Sequence, residues 1–213
     1  MKVSFAITTH NEGECISKLL SQLQEHIEEQ ETGDEIVILD DFSEDPDTVY
    51  RLEKYSSLPY VHFHRRALKR NFGAQKNYLN TLCSGDYVFQ IDADEYLAPG
   101  LLTNLHEILA GNSTVDLFYV PRVNTVEGLT QEHIDLWGWN VNEHGWVMWP
   151  DYQTRLYRND PEILWTGAVH ERITGFDTFA HLPKMEDYAI IHPKQIARQE
   201  EQNSLYNEIA QEN

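Results

Sequence analysis

Along its first hundred residues the chain alternates two hydrophobic patterns. "KVSFAIT" (2–8) is a short apolar run rich in β-branched and aromatic residues, and it predicts a strand. Over 13–29, Ile16, Leu19, Leu20, Leu23 and Ile27 recur at helical spacing. "EIVILD" (35–40) is apolar on both faces, the pattern of a buried strand. Residues 45–56 open with a cap signal and an early proline, which predicts a helix. "YVHFH" (60–64) and "DYVFQI" (86–91) read as strands, and 71–83 and 99–110 as helices. Strand–helix alternation with continuous apolar strands predicts an α/β protein, with a mostly parallel, Rossmann-like sheet flanked by helices on both faces. Ligands of such sheets bind beyond the carboxyl ends of the strands. Three strands end in polar clusters, "THNE", "DDFSED" and "DADE", and chain order puts all three on one rim.

The pattern changes after residue 115. "DLFYVPRVNTV" (116–126) predicts one more strand, and the chain then turns irregular, aromatic and short-stranded to about residue 192. The last stretch is a polar helix with a thin stripe of Ile196, Leu205 and Ile209. There is no internal repeat or linker, so 1–213 reads as one domain: a ligand-binding half (1–115) and a smaller irregular half with the terminal helix (116–213). A net charge of −19 argues against nucleic acid and anionic membranes as partners. It leaves room for a small anion, because a divalent cation inverts the field locally. Cys15 and Cys83 read as reduced core thiols rather than a disulfide framework. The first residues lack a signal-peptide pattern and no apolar stretch of membrane-spanning length occurs, so a soluble, cytoplasmic protein without a transmembrane segment is expected.

Three carboxylates within four residues, Asp92, Asp94 and Glu95, repel one another unless something positive sits among them. If the strand runs on to residue 94, Asp92 and Asp94 share a face. Hard oxygen ligands at that spacing suit Mg²⁺ or Mn²⁺, completed by substrate phosphates, and a solvated acidic turn is the bland alternative. Asp40, at a strand end, can accept a hydrogen bond from a nucleobase, while Asp41, Ser43 and Asp45 read as turn and cap residues. Arg65, Arg66, Lys69, Arg70 and Lys76 either meet a diphosphate or form a solvated basic loop. Four of the five tryptophans fall within 137–149, where they either fill a core or offer a flat face to a sugar ring.

The stretches "SFAITTHNE", "DEIVILDDFSED", "NFGAQKNYLNTLCSGDYVFQIDADEYL", "WPDYQTRLYRND", "GAVHERI" and "IIHPK" run in order over most of residues 3–195. Together they resemble the inverting family 2 glycosyltransferases of GT-A fold, and most nearly the branch that adds sugars to lipopolysaccharide inner core. The resemblance implies a UDP-sugar donor, UDP-glucose first, and a glycan or lipid-linked acceptor. It implies that Thr8, His10 and Glu12 surround the uracil and ribose, that Asp40 meets the base, and that Gly73, Lys76 and Asn77 lie beside the nucleotide. Asp94 then matches the direct ligand of Mn²⁺ or Mg²⁺, Asp92 the residue nearer the ribose or a metal-bound water, and His192 the late histidine of the metal–diphosphate site. The departure is in length: nothing membrane-spanning and no large region follows His192 within these residues.

An inverting transfer needs a carboxylate to take the acceptor's proton. Glu171 is the favoured candidate and Asp151 its rival, with a salt bridge to Arg172 or Arg155 as the structural alternative for Glu171. Two rival functions share parts of this pattern. A sugar-nucleotide pyrophosphorylase needs a basic glycine-rich loop after the first strand, where this chain has the acidic "THNEGE". A non-catalytic carbohydrate-binding module would use the tryptophans but has no need of Asp92, Asp94 and His192 together.

Overall fold

The computed structural model describes the backbone of residues 1–212, and the side chains of that span other than 205–207 and 210–212. The strands are β1 (Val3–Thr9), β2 (Glu35–Asp40), β3 (Val61–Arg65), β4 (Tyr87–Asp92), β5 (Tyr96–Leu97), β6 (Leu117–Val120), β7 (Arg122–Glu127), β8 (Gln153–Arg158), β9 (Leu164–Thr166), β10 (Arg172–Thr174), β11 (Phe179–His181) and β12 (Ile190–Gln195). The helices are α1 (Cys15–Gln30), α2 (Pro46–Ser56), α3 (Phe72–Asn80), α4 (Pro99–Gly111), α5 (Gln131–Trp137) and α6 (Ile196–Glu212).

A seven-stranded sheet runs in the order β11-β6-β8-β4-β1-β2-β3. β4, β1, β2 and β3 are mutually parallel, and β8 is antiparallel to both of its neighbours, β4 and β6. The second half of the chain therefore completes the sheet that the first half starts. A three-stranded sheet, β5-β12-β7, stands beside it. Period-2 alternation along β1 divides the core. Val3, Phe5 and Ile7 pack with Leu19, Leu20 and Leu23 of α1, Leu52 of α2 and Leu101, Leu105 and Leu109 of α4. On the opposite face, Ala6, Val37, Leu39 and Val88 pack with Leu79 of α3 and with Trp165 and Ile173 of the β9–β10 hairpin. Each leucine buried this completely contributes about 1.5–3 kcal/mol. No helix among the described residues is long and apolar enough to cross a membrane.

Three expectations change. The strand predicted over 116–126 is two strands in two different sheets, divided at Pro121. Proline has no N–H for a ladder, so the break falls there. β4 stops at Asp92, and Ala93 and Asp94 form a turn closed by Glu95 N–H donating to the Asp92 carbonyl (3.0 Å), so Asp92 and Asp94 do not share a strand face. Cys15 is exposed at the start of α1 rather than in the core; both thiols are free, and burial pushes that of Cys83 up to about 12. Of the stripe expected on the terminal helix, Ile209 is buried, and the Leu205 side chain lies outside the described residues.

Candidate active site

The carboxyl ends of β1, β2 and β4 open onto a cavity of about 560 Å³. β8 is antiparallel, so its first residues arrive at the rim where its parallel neighbours end. That brings Asp151, Gln153 and Arg155, spaced two apart, to the cavity wall. β12 and α6 close the other side with His192, Lys194, Arg198 and Gln202. In a chain of net charge −19, cations gather here.

Each of the three clustered carboxylates has its own partner. Arg155 holds Asp92 through both guanidinium nitrogens, Nη1 to Oδ1 at 3.1 Å and Nη2 to Oδ2. Burial alone would raise the Asp92 carboxyl, but the charges of Arg155 and Lys76 outweigh it and keep it far below the usual carboxylate range. Glu95 faces inward: Oε2 accepts from Asp92 N–H (3.0 Å) and Oε1 from Arg122 Nη1 (2.9 Å). It is a structural counter-ion with no exposure to the cavity. Asp94 is left with a carboxylate oxygen 3.4 Å from His192 Nε2 and 3.6 Å from Arg198 Nη2.

The second nitrogen of His192 shows why that approach matters. Nδ1 lies 2.9 Å from Asn124 Oδ1. Asn124 is oriented by its own Nδ2, which donates to Asp151 Oδ2 (2.7 Å) and to the Val147 carbonyl (3.3 Å). Its Oδ1 can only accept, so Nδ1 of His192 carries the proton. In the neutral ring Nε2 then presents a lone pair toward the Asp94 carboxylate. A cation between the two atoms would satisfy both, and a histidine fixed in this way by its other nitrogen has the arrangement of a metal ligand. A carboxylate oxygen and an imidazole nitrogen at this separation fit a divalent cation. Asp92, held by Arg155, is outside that pair.

The two candidate bases differ in freedom. Asp151 accepts from Arg122 Nε (2.9 Å), Arg122 Nη2 (2.8 Å) and Asn124 Nδ2 (2.7 Å) on Oδ2, and from Gln153 Nε2 (3.0 Å) on Oδ1. Glu171 also lines the cavity, and its Oε1 is paired with Lys76 Nζ. Its Oε2 has no hydrogen bond among the described residues. The alternative partners expected for Glu171 do not hold it: Arg155 pairs with Asp92 and Glu95 instead.

Thr8, His10 and Glu12 all line the cavity. His10 Nδ1 donates to the Asp41 carbonyl at 2.7 Å, which leaves Nε2 as the acceptor toward Asn11 Nδ2 (3.0 Å). Glu12 pairs with Arg198, although burial still raises its carboxyl. Asp40, expected at the base, is wholly buried, and its carboxylate is taken by Ser43 N–H and Oγ and by Arg65 Nε. Its neighbour Asp41, read from the sequence as a turn residue, lines the cavity instead. Gly73 and Asn77 lie away from the cavity wall and serve packing. A Cβ at Gly73 would come within 2.5 Å of the Gly167 carbonyl, and Asn77 bonds both backbone groups of Trp165 at 2.8 Å. Of the five clustered cations, Lys76 lines the cavity, while Arg65 pairs with Asp40 and Arg66 with Gln75. The four tryptophans of 137–149 are half-buried and pair edge to face or tilted, Trp137 with Trp139 and Trp146 with Trp149, and Trp139 reaches the cavity. Sequence reasoning missed Arg122, Asn124, Arg155 in its role toward Asp92, Lys194 and Arg198. The two-residue spacing of Asp151, Gln153 and Arg155 is the one signal that could have pointed to a shared face.

Residues 4–181 match the family described as Glycosyl transferase family 2. The chain belongs to this family. Its α/β architecture matches solved structures of that fold. The S. aureus TarS 1–349 structure is similar over 91% of this chain and 60% of its own, with 19% identity and a TM-score of 0.62. The complexes of the same TarS fragment with UDP (17% identity, TM-score 0.60) and UDP-GlcNAc (19%, 0.57) each match 91% of this chain, and 60% and 59% of their own. The chain thus spans less than two thirds of these structures.

Proposed function

We propose that this chain is a metal-dependent, inverting glycosyltransferase that moves a hexose from a UDP-sugar to a hydroxyl of a glycan or lipid-linked acceptor. The observation that carries this reading is the facing of Asp94 and His192 Nε2 inside the cavity, with the histidine's other nitrogen fixed by Asn124. The UDP and UDP-GlcNAc complexes of TarS support a UDP-sugar donor. The motif likeness to lipopolysaccharide inner-core enzymes favours UDP-glucose and cytoplasmic action. Residues 1–115 supply the donor side and 116–213 the acceptor side.

Asp94 and His192 would hold Mn²⁺ or Mg²⁺, which supplies Lewis-acid stabilisation of the leaving diphosphate. Thr8, His10, Glu12 and Asp41 border the place where base and ribose would lie, and Arg155 keeps Asp92 ionised beside it. Glu171 takes the proton of the acceptor hydroxyl as its oxygen bonds to the anomeric carbon. The bond from that carbon to the phosphate oxygen breaks, UDP departs, and a single displacement inverts the centre. Lys76 orients the Glu171 carboxylate, and Trp139 offers the acceptor a flat apolar face.

Calorimetry with UDP in Mn²⁺, Mg²⁺ and EDTA tests the reading directly. Binding should be tighter with metal, and equal affinity in all three buffers would refute it. Slow Mn²⁺-dependent release of UDP from a panel containing UDP-glucose and UDP-GlcNAc then identifies the donor.

A further inference from the structure

The opposite rim of the sheet carries a second group of metal-ligating side chains. His26 lies on α1, Asp34 immediately precedes β2, and His106 lies on α4. One ligand atom from each falls within 4.8 Å of the other two. Asp34 is fully enclosed: its Oδ1 accepts from Val3 N–H (2.8 Å) and its Oδ2 from His106 Nε2 (2.8 Å). His26 Nε2 faces the same Oδ2 at 3.7 Å. The imidazole rings of His26 and His106 lie nearly parallel, 12° apart with centroids separated by 6.1 Å.

The telling atom is His26 Nε2, which is buried and makes no hydrogen bond. The His26 side chain is only 6% exposed, so water does not compensate. If Nε2 carries a proton, that proton is too far from Asp34 for a bond. If it does not, a lone pair faces a carboxylate across an apolar wall that includes the Phe5 ring. Neither state gives the buried Nε2 a hydrogen bond, and a cation between the three atoms would fill that place.

We infer that His26, Asp34 and His106 form a second metal site, of two imidazole nitrogens and one carboxylate oxygen, that takes Zn²⁺ or a similar transition metal. Imidazole ligands favour such ions over Mg²⁺ and Mn²⁺, which suit oxygen sets. Tetrahedral Zn²⁺ with bonds of about 2.0–2.1 Å places its ligand atoms roughly 3.3–3.5 Å apart. The observed 2.8 and 3.7 Å from Asp34 straddle that value, and all three ligand atoms lie within 4.8 Å of one another. His106 is 27% exposed, which gives an entry path and a place for a water as fourth ligand. The six residues of β2 separate this site from the cavity, a span of about 20 Å. The ion would tie α1 to α4 on one face of the sheet and contribute stability, with no part in sugar transfer.

The test uses the full chain carrying Asp94→Ala and His192→Ala, which removes the cavity's metal ligands, after EDTA treatment and dialysis. Titration with Zn²⁺ should show one equivalent bound and a raised melting temperature, and Co²⁺ should give the visible bands of a four-coordinate site. His106→Gln on that background keeps a donor for Asp34 at a half-exposed position, so the fold should survive. It should weaken Zn²⁺ roughly 100-fold. His26→Gln should do the same. Absence of a stoichiometric Zn²⁺ site, or unchanged affinity in His106→Gln, overturns the inference. A melting temperature that drops equally in His106→Gln with and without Zn²⁺ overturns it too, because that pattern identifies a plain hydrogen bond to Asp34.

Discussion

Glu35 at one rim of the central sheet and Asp94 and Glu171 at the other are carboxylates used in opposite ways. At the amino rim, Glu35 accepts four hydrogen bonds, from Lys2 Nζ (2.6 Å), Ser4 Oγ (2.6 Å), Ser84 N–H (2.6 Å) and Ser84 Oγ (2.7 Å). Its charge is used up in holding β1, β2 and the start of β4 in register. At the carboxyl rim, Asp94 has contacts at 3.4 and 3.6 Å, and Glu171 has one partner. Those carboxylates face a cavity and keep unfilled coordination. Saturation marks a group that serves the fold, and incomplete satisfaction beside open volume marks one reserved for a ligand.

The largest expected effect falls on Glu171, the carboxylate with one oxygen paired and one facing open volume. Glu171→Gln should leave metal and UDP-sugar affinity nearly unchanged and cut transfer by roughly two orders of magnitude or more, read from initial rates. Asp151→Asn is the paired measurement. Asp151 has the saturated pattern of the amino rim, so its loss should disturb Arg122 and Asn124 and act mainly through weaker metal binding. Abolished transfer in Asp151→Asn with an active Glu171→Gln would reverse the assignments and break the comparison.

Next comes the metal pair. Asp94→Ala should remove most of the gain in UDP affinity that Mn²⁺ provides, measured by calorimetry with and without EDTA. Asn124→Ala sharpens the point, because it touches no ligand atom. It frees the His192 tautomer, and metal affinity should fall roughly 10- to 100-fold while the melting temperature changes little. Unchanged Mn²⁺ affinity in Asn124→Ala would count against the fixed-tautomer argument.

The sheet was legible in the sequence because β1, β2 and β4 are buried on both faces, and continuous apolar runs such as "EIVILD" have few other uses. The site was legible only in part. Asp40 and Asp41 are adjacent and chemically equal, and which of them turns into the protein depends on where β2 ends and on Arg65 and Ser43 reaching back. Arg155 became a partner of Asp92 through the antiparallel placement of β8 beside β4, a long-range pairing that no local spacing encodes. Gly73 and Asn77 make close approach to Trp165 and Gly167, packing contacts that their place in the motif does not reveal. His26 sits among the leucines of α1 as if it were one more core residue.

The amino rim predicts a pH dependence. Burial would raise Glu35, but its bonds from Lys2, Ser4 and Ser84 outweigh that and lower it to about 2. A carboxyl depressed in the folded state adds stability above its unfolded value and loses it as pH falls through the folded one. Glu35 should thus stabilise fully above about pH 4.5 and progressively less down to about pH 2. Glu35→Gln should cost about 1–3 kcal/mol near neutral pH and flatten this acid limb, followed by denaturant unfolding across pH. An acid limb as steep as in the parent would show that other carboxylates carry it.

The smallest effect concerns a residue whose place and kind disagree. Asp45 lies after β2 at the carboxyl rim, yet its Oδ2 accepts from Thr48 N–H (2.8 Å) and Thr48 Oγ1 (2.7 Å), capping α2 ahead of Pro46. It is satisfied locally and does not line the cavity, so by saturation it belongs with Glu35. Asp45→Ala should therefore lower the melting temperature by roughly 2–4 °C and leave Mn²⁺-dependent UDP affinity unchanged. Asp45→Asn, which keeps the accepting oxygen, should recover most of the loss. If Asp45→Ala instead weakens UDP with no change in melting temperature, position on the rim rather than saturation decides function, and the contrast between the two rims fails at its most direct test.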